Sequence, residues 1–495
     1  MKNFGYGFVL TFCFTVVAAA FLFSTAAQAA DGKAKNVILM IGDGMGFNSD
    51  LAGTYYRYGE AKKKRCDSFP VYLGCTTFSR AKKDQPIPAD CKGYDPDVFW
   101  ASIANGNQGT EFTKTTDSAA SSTAFNSGTK TLNGSIGVDA DQKPVELFSE
   151  VAVKHGKKIG TVTTVPLSHA TPAGFFAHCK SRSDMDEIFL QQTDANKGLT
   201  IVMGGGHPFY VGGNKIKVKE NEKEKDTKKR FLAVGGEETW NKLQTGSYNG
   251  YTVITDEKQF ADLAAGKGNI PDKVIGIGKD TADIPPKDGY LEDLPETETK
   301  LNASFKDRNW NELPTLAEMS LAAINVLTKN NDKGFVMLIE GGAIDHANHG
   351  QNAARSCFEH TGFTKAIDAV IDWIEKNSSW DETLVVITAD HATGQIWGPD
   401  SFTDENENGV YDEGDGTSTF NPLKNNGRGK IPDVQYAGKG HSNALVPLWA
   451  KGPGSELFLK QIKGNDEKAA EFWNFSGDFV DNTDIAVVIK AALAP

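Results

Sequence analysis

Six short apolar runs mark the chain: Val37 to Ile41, Ile159 to Val165, Thr200 to Met203, Phe335 to Ile339, Leu384 to Ile387 and Ala444 to Trp449. They read as buried strands. Between them, apolar residues fall at helical spacing, as in Phe363, Ile367, Val370, Ile371 and Ile374, and again in Leu316, Met319, Ala323 and Val326. Each such stretch predicts a helix with one face on a sheet. Strands alternating with amphipathic helices predict an α/β domain with a doubly wound, largely parallel central sheet and helices on both faces. Residues 204–312 break the pattern, being Gly-rich with only short apolar runs and the charge run "KVKENEKEKDTKKR" at 217–230. That run reads as a solvated face, and the region as a smaller insertion carried by the main domain. No internal repeat or low-complexity tract is present in the sequence.

The chain of 495 residues, 39% hydrophobic, is long enough to bury a large core. Its first 29 residues read as a secretory leader: Lys2 supplies the positive start, an apolar run extends from Phe8 to Phe23, and Ala27-Gln28-Ala29 fits a small-residue cleavage site. The remaining 30–495 would be one exported domain, in the periplasm or outside the cell, with no membrane span after processing. Cys13 follows Phe12 rather than a small residue, which argues against lipid attachment. Loss of Lys2 changes the formal charge from -12 to -13, a balance that disfavours nucleic-acid binding through phosphates. Five cysteines remain, Cys66, Cys75, Cys91, Cys179 and Cys357, in a disulfide-permissive compartment. None forms a CxxC pair, so they read as structural, with an odd thiol left over.

Three of the apolar runs end alike. "NVILMIGDG" places Asp43 at a strand end, "GFVMLIEGG" places Glu340, and "ETLVVITADH" places Asp390 and His391. Ligands of parallel α/β sheets sit beyond the carboxyl ends of the strands, so these groups are expected to converge on one crevice. Carboxylates gathered there would repel one another, and Lys and Arg are sparse nearby, which leaves metal ions as the counter-charge. In "EGGAIDHANHG", 340–350, Asp345 and His349 are four apart and share a helical face, and mixed Asp/His donors suit zinc. In "TTDSAASSTA", Ser118 follows Asp117 and opens a run of small residues. At a helix N-terminus it is either a nucleophile beside a bound phosphate or an N-cap. No G-x-S-x-G elbow is present, so a hydrolase triad is poorly supported.

Six ordered motifs, "IGDGMG" at 41–46, "TDSAAS" at 116–121, "ATPAGFFAHCKSR" at 170–182, "EGGAIDHANH" at 340–349, "TADHATG" at 388–394 and "GKGHSN" at 438–443, give the chain its resemblance to bacterial and animal alkaline phosphatases. The resemblance implies phosphate monoester hydrolysis through a phosphoserine on Ser118, with two zinc ions and one magnesium, broad substrate range and a homodimer. By matching positions, Asp345, His349 and His441 would hold the first zinc, and Asp43, Asp390 and His391 the second. Thr171 and Glu340, with Asp43 bridging, would hold magnesium, Arg182 would grip the phosphate, and His169 and His346 would stand behind the ligands. Two metals roughly 3.5–4 Å apart can stabilise both the entering and the leaving oxygen, and an arginine fork matches two phosphate oxygens. A phosphodiesterase or sulfatase of the same superfamily is the nearest alternative, although Ser118-Ala119-Ala120 lacks the C/S-x-P-x-R context of sulfatases. A non-catalytic, metal-stabilised binding protein is the alternative from another class.

Three stretches depart from the family pattern. Some members carry aspartate and lysine where this chain has His169 and His346, a pair similar to the animal enzymes, and an imidazole at 169 is expected to weaken magnesium or admit another metal. The segment 55–111 looks longer than in compact members and has no assigned role. "DENENGVYDEGD", 404–415, reproduces much of a calcium-loop pattern, with Asp404, Asn406, Asn408, Val410, Asp412 and Asp415 at donor positions and Gly409 at the turn. A solvated Asp/Asn/Gly turn is the plain alternative there.

Overall fold

All six apolar runs contribute strands to a single twelve-stranded sheet, shown by a computed structural model that describes residues 1, 33–80, 93–104, 115–219, 222–280, 283–284, 308–405, 411, 415 and 418–493. From one edge to the other, the strands begin at residues 464, 478, 71, 446, 383, 36, 335, 158, 201, 274, 251 and 247. From Thr383–Thr388 across to Tyr251–Ile254 the pairing is parallel throughout. Val446–Lys451 runs antiparallel to both of its neighbours. The central strands are fully buried because helices cover both faces, which is why they read as continuous apolar runs. Helices Leu316–Thr328 and Ala353–Asn377 carry the helical spacings read from the sequence, with Met319, Ala323, Phe363, Ile367 and Val370 buried.

Residues 204–312 do not stand apart from this sheet, since Ser247–Tyr248, Tyr251–Ile254 and Val274–Ile277 form its far edge. Part of the 55–111 segment also has a place: Val71–Thr76 is an interior strand between Val446–Lys451 and Asp478–Asp481. Residues 2–29 of the expected leader, with Cys13, and also Cys91, lie outside the described residues. Among the described residues no disulfide joins Cys66, Cys75, Cys179 and Cys357, and all four are buried. No described helix is long and apolar enough to cross a membrane.

Register delivers the chemistry to one level. Ile41 faces Glu340 on one side and Thr388 on the other, so Asp43, Glu340 and Asp390 emerge together at the carboxyl ends of three adjacent strands. Behind them, a buried ion pair ties the C-terminal strand to this end of the molecule. Lys130 Nζ lies 2.9 Å from Asp481 Oδ2 and donates to Asn482 Oδ1 at 2.7 Å. Asn482 in turn donates to Ser121 Oγ at 3.0 Å, and Ser121 donates to the Asp390 carbonyl at 2.6 Å. Removing one partner of a buried pair strands the other charge, so Lys130→Met is expected to cost about 3–5 kcal/mol. The urea unfolding midpoint measures this, and Asp481→Asn in the same chain should recover part of it; an unmoved midpoint would mean the pair contributes nothing.

Candidate active site

Ser118 opens the helix Ser118–Ser127, whose N-cap is Asp117. The Asp117 carboxylate accepts from Ala120 N and Gly134 N, both at 2.9 Å, and from Arg182 Nη1 at 3.1 Å. The capping role considered for Ser118 therefore belongs to its neighbour, and the Ser118 hydroxyl is left facing His391 Nε2 at 3.3 Å. Arg182 is pinned at its other nitrogen, where Nη2 donates to His169 Nε2 at 3.1 Å. The guanidinium plane is thus held from two sides.

Two loops bring the carboxylates close. Gly44 takes φ +70, and a Cβ there would sit 2.7 Å from the Asp345 Cα, so the "GDGMG" turn can pack against the helix Ala343–His349 only as glycine. Gly44 N and His391 N both donate to Asp390 Oδ1, at 3.0 and 2.9 Å. On the short helix, His349 Nε2 lies 3.2 Å from Asp345 Oδ2, the shared face expected from the i, i+4 spacing.

Ring orientation decides which nitrogens are offered. His441 Nδ1 donates to the Thr116 carbonyl at 2.7 Å, and His349 Nδ1 donates to the Lys439 carbonyl. Both Nε2 atoms are left as lone pairs, 3.1 Å from each other. Ligand atoms gather in three groups: Asp345, His391 and His441; Asp43, Asp390 and His391; and Asp43, His169 and Glu340. Thr171, buried in the first turn of helix Ala170–Gly174, sets its hydroxyl beside Glu340.

This donor set fits cations. Both Asp43 oxygens and Glu340 Oε1 are buried with no hydrogen-bond partner, a costly state that a coordinated ion would relieve. Burial pushes the Asp43 carboxyl well above the ordinary range, and the charges of Asp390, Asp345 and Glu340 push it further. Burial likewise raises Glu340 to about 7, with Asp390 adding to the effect and the Thr163 hydroxyl, 2.5 Å away, opposing it. Carboxylates in such surroundings stay ionised only beside positive charge.

The residues named from sequence therefore come together, with one exception. Of the calcium-loop donors, Asn406, Asn408, Val410 and Asp412 lie outside the described residues; near its ends, Glu405 N donates to Asp415 Oδ1 at 2.7 Å. Other participants were not legible. His346 Nδ1 donates to Asp283, 2.9 Å from each oxygen, and Arg355 Nη2 reaches Asp283 Oδ2 at 2.6 Å. Burial works against ionising Asp283, yet His346 and Arg355 hold it down at about 2. His346 packs edge-on to His169, ring centroids 5.8 Å apart, which connects this trio to Arg182. Thr393 donates to Asp345 Oδ1 at 2.5 Å. No apolar pattern or motif marks Asp283; only its adjacency to a fold-specific crevice does.

A parallel sheet whose strand ends gather unpartnered carboxylates and imidazoles around a serine-capped crevice is the scaffold of a metallohydrolase. The Alkaline phosphatase family model matches residues 34–494, and the chain belongs to that family. It is 30% identical over 364 residues to alkaline phosphatase 4 of Bacillus subtilis, covering 73% of this chain and 62% of the relative. It is 29% identical over 386 residues to the alkaline phosphatase of Escherichia coli, covering 75% and 73%. The match thus spans about three fifths of the Bacillus relatives' length, 62% and 61% for two of them. Among solved structures, the alkaline phosphatase of the Antarctic bacterium TAB5 overlays with TM-score 0.55 at 23% identity, covering 93% of this chain and 98% of that one. The Thermus thermophilus alkaline phosphatase overlays with TM-score 0.61 at 17% identity, covering 94% and 93%.

Proposed function

We propose that the protein hydrolyses phosphate monoesters with broad leaving-group tolerance, through a phosphoserine on Ser118. The observation that carries this reading is the Ser118 hydroxyl, released from capping by Asp117 and set beside His391, next in sequence to the aspartate that holds Arg182. In the proposed complex, Asp345, His349 and His441 hold one zinc, Asp43, Asp390 and His391 a second, and Asp43, Thr171 and Glu340 a magnesium. When bound, these ions supply the positive charge that offsets the phosphate dianion and the developing alkoxides.

The chain's own groups do the rest. Arg182 presents two N–H donors to non-bridging oxygens, and Asp117 and His169 fix their direction. Ser118 Oγ attacks phosphorus as the ester oxygen leaves, and water then cleaves the Ser118–phosphorus bond, releasing phosphate and restoring the hydroxyl. Helix Ser118–Ser127 aims its free N–H groups at the same anion. The groups around Ser118 address phosphate, and a doubly charged monoester matches the arginine and cation set better than a diester, which disfavours the phosphodiesterase reading. We further propose a homodimer acting in the periplasm or outside the cell.

Release of inorganic phosphate from an aryl phosphate tests the proposal. Chelation should abolish turnover, and zinc with magnesium should restore it, with metal analysis returning two zinc ions per chain. Turnover indifferent to exhaustive chelation would sink it.

A further inference from the structure

At the far end of the strands from the candidate active site, a cleft of about 870 Å³ opens between helices Phe148–Lys154 and Met185–Gln192. The start of strand Lys158–Pro166 borders it, as does Lys273, the residue before strand Val274–Ile277. Thr163, on the same strand as Lys158, already contacts Glu340, so five residues of extended chain, roughly 17 Å, separate cleft and crevice. The size is that of a small-molecule pocket.

Its walls are apolar where a protein surface usually is not. Val153 and Leu190 are 49% and 41% exposed on the two facing helices. Phe176 is part-buried between them, and Ile159 forms the floor. Apolar side chains from four separate segments converging on one concavity form a surface that favours covering.

The rim is basic in a chain of net charge -12. Five lysines line the cleft, Lys154, Lys157, Lys158, Lys197 and Lys273, against three carboxylates, Glu150, Glu187 and Asp194. Glu150 is engaged by His178 at 3.2 Å, and Lys154 pairs with Glu146. The remaining ammonium groups are held chiefly by carbonyls. Lys157 spends all three N–H groups on the carbonyls of Ala34, Lys35 and Lys333 at 3.2, 2.8 and 2.9 Å, whereas Lys158 donates to that of Lys329 at 2.6 Å and Lys273 to that of Ala195 at 2.9 Å. A carbonyl fixes an ammonium in place without neutralising it. Burial, with repulsion from Lys35 and Lys333, lowers the Lys157 pKa, and burial lowers that of Lys158. Asp194 faces Lys197 and Lys273, and Asp272 faces Lys158, yet five lysines against three lining carboxylates leave the cleft net positive, a balance that an incoming anion relieves.

We propose that this cleft binds a small amphiphilic anion, a carboxylate bearing an apolar chain, with the chain along Val153, Phe176 and Leu190 and the carboxylate among Lys158, Lys197 and Lys273. The site is separate from the phosphate crevice and uses none of its residues.

Dodecanoate, kept below its micelle concentration, is the probe, titrated calorimetrically into the metal-loaded full chain. One molecule should bind per chain. Leu190→Glu, which puts a charge on the apolar wall at an already exposed position, should weaken binding about tenfold or more, because it removes apolar contact and repels the carboxylate. Lys197→Glu should weaken it several-fold, and added salt should weaken it further. Both variants should keep wild-type turnover of an aryl phosphate, which shows that they are folded. Dodecyltrimethylammonium should bind at least about tenfold more weakly than dodecanoate. The proposal is overturned if dodecanoate does not bind, if the cationic amphiphile binds equally well, or if folded Leu190→Glu and Lys197→Glu chains both bind dodecanoate like wild type.

Discussion

Ser118→Ala is expected to lower turnover of phosphate monoesters by a factor on the order of 10³ or more while leaving bound metal unchanged. The hydroxyl sits beside His391 and accounts for no cap, since Asp117 supplies the bond to Ala120 N. Its removal therefore takes away the proposed nucleophile and leaves the helix start intact. Slow direct attack by water would remain, because Arg182 and the surrounding ligands are untouched. Acid-quenching wild-type protein during turnover of a labelled ester should trap the label on Ser118, and the alanine chain should trap none. Label on another residue, or wild-type turnover in the variant, would remove Ser118 from the mechanism.

Arg182→Lys should weaken the binding of inorganic phosphate by roughly 10- to 100-fold, the size expected from losing one charge-assisted hydrogen bond and the planar fork that aims it. The arginine uses two nitrogens to hold its place, Nη1 on Asp117 at 3.1 Å and Nη2 on His169 at 3.1 Å. A lysine keeps the charge but has a single nitrogen to satisfy both partners and the ligand. Inhibition of turnover by added phosphate measures the loss, and an unchanged inhibition constant would mean that the fork is not where phosphate sits. The same variant should keep its metal content, which separates weakened phosphate binding from a collapsed site.

These residues were legible to different degrees, for identifiable reasons. Asp43, Glu340 and Asp390 stand out in the sequence because each ends an apolar run, and the parallel register of Ile41 with Glu340 and Thr388 turns that linear coincidence into proximity. Asp345 and His349 are readable from helical spacing alone. Asp283 and Arg355 carry no such mark: Asp283 follows strand Val274–Ile277, where the next residue, Ile284, donates its N–H to the Thr164 carbonyl at 2.6 Å, and there it meets His346 and, from helix Ala353–Asn377, Arg355. Strand Val71–Thr76 escaped notice for a different reason. It is six residues long and interrupted by Gly74, so its apolar signal is weak although most of it is buried between two neighbours. The same weakness hid Tyr251–Ile254 and Val274–Ile277, each four residues, within the insertion at 204–312 although both extend the sheet.

The sheet order also sets a timetable for synthesis. Strand Asn36–Gly42 lies between Phe335–Gly341 and Thr383–Thr388, so neither flank of this early strand exists until most of the chain has left the ribosome. Gly44 waits 346 positions for its bond to Asp390. Until then a strand apolar from Val37 to Ile41 has two open edges, the condition under which nascent chains pair with the wrong partner. Closing so long a loop comes late and slowly. Regain of turnover on refolding should accordingly trail the recovery of helical signal, because the first strand becomes part of a working crevice only when the last third of the chain has docked around it.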